Sequence, residues 1–147
     1  MDDAPILICY DGSEGARRAI DVAAELFAGS HAVVLDVAPF LTWAESVAAL
    51  SALTPNFGQL NEDEALERAR DGATLAREAG LTADARSDLA APTWDGIVLA
   101  ADEIDAAVIV VGSRGLKGLR EAFEGSVSHD VAEHAGRPVL IVPPPRA

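Results

Sequence analysis

The sequence predicts an α/β fold: a single doubly wound, five-stranded, mostly parallel sheet with helices on both faces. Three observations predict it. Short apolar runs alternate along the chain with segments of helical period, five of the first and four of the second. Several runs are apolar without interruption, as strands buried on both faces should be. The chain has 147 residues, half of them apolar, enough for one substantial core without metal or disulfide support. We find no internal repeat and no composition break, so one domain spanning residues 1–147 is expected.

Ile6-Leu-Ile-Cys-Tyr10 is the first strand, ended by the turn signal Asp11-Gly12-Ser13. From Ala16 the residues Ala16, Ala19, Ile20, Ala23, Leu26 and Phe27 share one helical face, and Arg17, Arg18, Asp21 and Glu25 occupy the other, as far as Gly29. Ala32 to Val37 reads as the second strand, stopped by Pro39. Leu41 to Leu53 has room for a helical turn or two before Pro55-Asn-Phe-Gly58 breaks the chain. Leu60 to Ala79 is a helix stopped by Gly80, with the charge-rich Glu62 to Arg77 as its solvated face. Thr82 to Ser87 is a polar, alternating strand, and Thr93 to Ala101 a helix following Pro92. Ala106 to Val111 is a strongly apolar strand and Ser126 to Ala135 the last helix. Val139-Leu-Ile-Val142 closes the sheet before a proline tail.

The charge balance excludes whole classes of partner. A net charge of -13 repels nucleic-acid phosphate and anionic membranes. The apolar runs fall short of the roughly 18 residues that span a bilayer, and no basic leader precedes the first strand. Neither a nucleic-acid nor a membrane partner is expected, and the location expected is cytoplasmic. The one cysteine, Cys9, has no partner for an intramolecular disulfide and reads as a small buried side chain.

One stretch runs against the acidic trend. Between Gly112 and Gly125, Arg114, Lys117 and Arg120 outnumber Glu121 and Glu124. The fourth strand runs directly into it: Gly112-Ser-Arg-Gly115, then Gly125-Ser126-Val127-Ser128 at the start of the last helix. Glycines let a backbone approach phosphate oxygens, and a helix N-terminus adds N–H groups and a favourable dipole. Taken singly, Gly112 and Gly115 are also turn residues and Ser126 a helix cap. Together they point to a phosphate cradle at one strand terminus. Neither the P-loop nor the dinucleotide fingerprint is present.

The spacing Gly112, Gly115, Gly125-Ser126, followed by Val127-Ser128, resembles the universal stress protein family in its ATP-binding branch. The opening strand with Asp11, the run Val110-Val-Gly-Ser-Arg-Gly115 and the ending Arg137-Pro-Val-Leu-Ile-Val142 extend the likeness over nearly the whole chain. The resemblance implies an adenine nucleotide alpha hydrolase-like sheet in the order 3-2-1-4-5. It implies that Asp11 holds the ribose and approaches the adenine, that Val37 and Val111 wall the base, and that Gly112 sits at the ribose. Gly115, Gly125, Ser126 and Ser128, with Val127 between the serines, would cradle the phosphates. The ligand implied is ATP, or AMP or another adenine nucleotide, accompanied by Mg²⁺. The function implied is that of a dimeric stress-response regulator with little or no turnover. A slow ATPase or phosphotransferase and a non-binding dimerisation scaffold are the alternatives.

Some residues depart from the family pattern. Asp36 stands where the family often has histidine, and a carboxylate beside an anionic ligand opposes it; Ala107 stands where aspartate is common. Trp94 reads as a packing residue. His31, His129 and His134 lack metal-ligand spacing, and Ser126 has no evident base to make it a nucleophile. Asp11-Gly-Ser-Glu14 also has the spacing of a capping box, with Asp11 as the cap. In the implied order the third and fifth strands are outermost. The apolar edge Val139–Val142 is then expected to pair with a second copy in a homodimer.

Overall fold

The structure, a computed structural model, describes residues 3–38, 57–113 and 127–146. Within these the elements are β1 (Ile6–Cys9), α1 (Glu14–Leu26), β2 (His31–Ala38), α2 (Phe57–Glu78), β3 (Thr82–Leu89), α3 (Thr93–Ile104), β4 (Val108–Gly112), α4 (Val127–His134) and β5 (Val139–Val142). The five strands form one sheet in the order β3-β2-β1-β4-β5, with every neighbouring pair parallel. Ile6 of β1 registers with Ala32 on one side and Val108 on the other.

Alternation along the strands divides the core into two layers. Ile6, Ile8, Tyr10, Val34 and Val110 point to the face covered by α1 and α2. Leu7, Leu35, Ile109 and Val111 point to the face covered by α3 and α4. β1 and β4 are therefore apolar along their whole length, which is why their runs stood out in the sequence. α1 buries Ala16, Ala19, Ile20, Ala23 and Ala24. α2 buries a ladder of small residues, Ala65, Ala69, Ala73 and Ala76, and this lets the helix axis lie close to the sheet.

β3 is the outer strand on one side. Its polar alternation, noted in the sequence, follows from that place. Arg86 pairs with Asp88 at 3.0 Å and reaches Glu103 on α3, and Asp84 lies 3.1 Å from His31 Nε2 on β2. Arg77, in the last turn of α2, donates from Nε and Nη2 to the Ala83 carbonyl at 3.0 and 2.8 Å. The opposite edge, β5, carries no charge, and Ile141 there is 39% exposed.

Several boundaries differ from expectation. Phe57-Gly58 lies within α2 instead of breaking the chain before it. β3 runs on to Leu89 and α3 to Ile104, where Asp105 at φ 49 stops the helix. β4 starts at Val108, later than Ala106. The expected helical turns in 41–53 lie outside the described residues.

Candidate functional site

β1 and β4 lie side by side, yet α1 follows β1 onto one face and α4 precedes β5 on the other. Chain leaving adjacent strands for opposite faces opens a crevice at their carboxyl ends. A cleft of about 680 Å³ occupies that position. It is lined by the ends of β1, β2 and β4, the first turns of α1 and α4, and Thr93 and Ile97 of α3.

The predicted residues that can be placed meet there. Asp11, Val37, Val111, Gly112, Val127 and Ser128 all line the cleft, although they come from separate parts of the chain. Val37 and Val111 belong to the strands flanking β1 and face the α3/α4 layer. Ser128 is buried in the first turn of α4. Gly115, Gly125 and Ser126 lie outside the described residues, so the middle of the expected cradle has no placement here.

Two expectations change in detail. Asp11 does not cap α1. Ser13 is the cap, its Oγ accepting from Ala16 N at 3.2 Å, while Asp11 Oδ1 accepts from Ser13 N at 2.9 Å. Gly12, at φ +85, makes the turn between them, in a region that favours glycine, so the helix starts later than the capping-box spacing implied. Cys9 is only half-buried and lines the cleft, because β1 ends where the two helical layers part. Burial, with Asp11 and Asp36 nearby, pushes its thiol up to about 12.

Gly112 has a packing reason as well as a place in the cleft. A Cβ there would stand 2.6 Å from the Gly15 carbonyl oxygen, so β4 and the first turn of α1 approach too closely for any side chain. Ser113 N, just beyond, donates to the Val142 carbonyl at 2.8 Å and ties the exit of β4 to β5.

Sequence reasoning missed Arg68. It read the charged face of α2 as solvated, yet Arg68 Nε donates to Asp36 Oδ2 at 2.6 Å, and Asp36 is buried at the end of β2 and lines the cleft. Burial raises the Asp36 carboxyl above the usual carboxylate range, and Arg68 opposes that shift. The two residues lie 32 positions apart, and no local pattern joins them. Trp94 packs as expected, stacked on the His134 ring with centroids 4.2 Å apart. His134 Nδ1 lies 2.8 Å from the Asp130 carbonyl, and His129 Nε2 lies 3.7 Å from Glu133. Among the described residues no group of three or more His, Cys, Asp or Glu side chains is placed to hold a metal ion.

The sequence profile of the universal stress protein family matches residues 4–143. The chain belongs to the universal stress protein family. Universal stress protein YxiE of Bacillus subtilis is 31% identical over 147 residues, covering 93% of this chain and 97% of that one. The universal stress protein encoded beside a sulfhydrylase in Thermus aquaticus is 34% identical over 142 residues, covering 93% and 96%. Among solved structures, a universal stress protein in complex with cAMP superposes with a TM-score of 0.69 at 24% identity, covering 97% and 98%. The Archaeoglobus fulgidus universal stress protein in complex with dAMP gives 0.64 at 23% identity, covering 97% and 99%. These likenesses establish the adenine nucleotide alpha hydrolase-like fold of the family. No helix among the described residues is long and apolar enough to cross a membrane.

Proposed function

We propose that this universal stress protein belongs to the ATP-binding branch. In this reading it is a cytoplasmic homodimeric regulator whose cleft takes ATP, AMP or a related adenine nucleotide with little or no turnover. The observation that carries the reading is the convergence of Asp11, Val37, Val111, Gly112 and Ser128 on one crevice at the point where the strand order reverses. A site of that shape offers apolar walls to a base, a carboxylate to ribose hydroxyls, and a helix N-terminus to phosphate. The cAMP and dAMP complexes of structural relatives support the adenosine part of it.

In this reading Asp11 Oδ2 accepts from the ribose, since Oδ1 is already engaged by Ser13 N. Val37 and Val111 hold the base, and Gly112 lies at the sugar. Val127 and Ser128 meet the phosphates together with Gly115, Gly125 and Ser126. Mg²⁺ would accompany a triphosphate and neutralise part of its charge.

The test is to purify the protein, identify the nucleotide that comes with it, and then incubate it with ATP and Mg²⁺ while measuring released phosphate. Bound adenine nucleotide without phosphate release supports the reading. Steady release would make the protein a slow ATPase, and no bound or added nucleotide would leave a scaffold. Asp11→Ala should weaken AMP and ATP alike. Gly115→Val and Gly125→Val should abolish nucleotide binding while leaving the protein folded, because a side chain there blocks backbone approach to phosphate.

A further inference from the structure

Two carboxylates meet at the end of the sheet where the ligand would enter. Cys9 registers with Leu35 and Tyr10 N donates to the Leu35 carbonyl at 2.8 Å, so Asp36 sits beside Tyr10, one residue before Asp11, and both carboxylates line the cleft. An anionic ligand approaching them meets repulsion, which a buried carboxylate exerts with little screening.

Arg68 answers that charge from a different element. Its Nε is bonded to Asp36 Oδ2, and its Cδ stands 3.8 Å from where a Cβ on Gly12 would be, so the side chain also lies across the Asp11–Ser13 turn. The guanidinium feels Asp36, Glu64 and Asp11 together. It is 39% exposed, whereas Asp36 is 5% exposed, so the arginine closes the carboxylate off from the water above it.

We propose that Arg68 is a positioning residue of the cleft: clamped on Asp36 and lying over the Asp11–Ser13 turn, it lets a site floored by carboxylates accept an anionic nucleotide. It thereby sets the preference between charged and uncharged adenine ligands. This inference rests on the nucleotide reading above.

The experiment compares adenosine with AMP by calorimetric titration in low-salt buffer. Arg68→Ala should lower the ratio of AMP to adenosine affinity on the order of tenfold, the effect of exposing one unit charge roughly 10 Å from another at an effective dielectric of about 20. Arg68→Lys should keep most of the ratio, because a cation remains. The double variant Asp36→Asn with Arg68→Ala should restore it, because the charge that needed compensation is gone; it also avoids an unpaired buried carboxylate if Arg68→Ala alone folds poorly. A general loosening of the fold would weaken both ligands together and leave the ratio unchanged, and that result overturns the inference while leaving the nucleotide reading intact. Failure of the wild type to bind either ligand overturns both.

Discussion

Gly112→Ala adds one methyl group at a place with no room for it. The new Cβ would stand 2.6 Å from the Gly15 carbonyl oxygen, 2.8 Å from its carbonyl carbon and 3.3 Å from Ala16 N. All three are backbone atoms of the first turn of α1, so no rotamer change can relieve the clash. Either α1 withdraws from β4 or the end of β4 shifts. Withdrawal loosens the contacts of Ala16, Ala19, Ile20 and Ala23 with the sheet. Overpacking of this kind costs about 1–3 kcal/mol, and a backbone obstacle places the effect at about 2–3 kcal/mol. For a chain of this size each kcal/mol moves Tm by roughly 2–4 °C, so the midpoint should fall by about 5–10 °C. Thermal melts by circular dichroism, run without nucleotide, make the measurement. A Tm within about 1 °C of wild type would refute the packing argument and leave Gly112 as a residue reserved for ligand approach.

Three further outcomes are expected. Asp36→Asn should be at least as stable as wild type at pH 7, because burial raises the Asp36 carboxyl: the folded state then binds the proton more tightly than the unfolded chain, and wild-type stability falls as pH rises through the carboxylate range. The advantage of the variant should therefore vanish below about pH 4, and denaturant titrations at pH 3 and 7 showing a loss at pH 7 would contradict it. Cys9, with its thiol pushed up to about 12, should resist iodoacetamide at pH 8 in the folded protein and react in denaturant, as mass spectrometry can read; rapid labelling of the native state would reverse that view. Light scattering at tens of micromolar should find a dimer that Ile141→Lys, on the exposed face of β5, dissociates; a wild-type monomer would exclude the pairing.

The sheet was legible because burial on both faces removes polar residues from its central strands. Ile6–Cys9 and Val108–Gly112 could hardly be read otherwise. β3 was legible for the opposite reason, since an edge strand tolerates Asp84, Arg86 and Asp88. That the candidate residues described by the structure share one crevice was legible because the crevice follows from strand order, and strand order came with the family likeness. What escaped was long-range pairing: nothing near Asp36 in the sequence announces Arg68, and nothing near Gly112 announces the Gly15 carbonyl. Capping was misassigned because Asp11 and Ser13 offer similar oxygens two residues apart, and only the turn at Gly12 decides between them.

The unequal edges of the sheet limit how copies can join. A ribbon that grows by adding strands needs two receptive rims, one to dock and one to be docked upon. Here one rim is guarded by the Arg86, Asp88 and Glu103 cluster and by the His31–Asp84 pair, whereas the β5 rim carries no charged side chain of its own among the described residues. Joining two bare rims uses up both, and the product presents only guarded ones. A pairing of the proposed kind, through β5, would therefore end at two copies instead of propagating into a fibre.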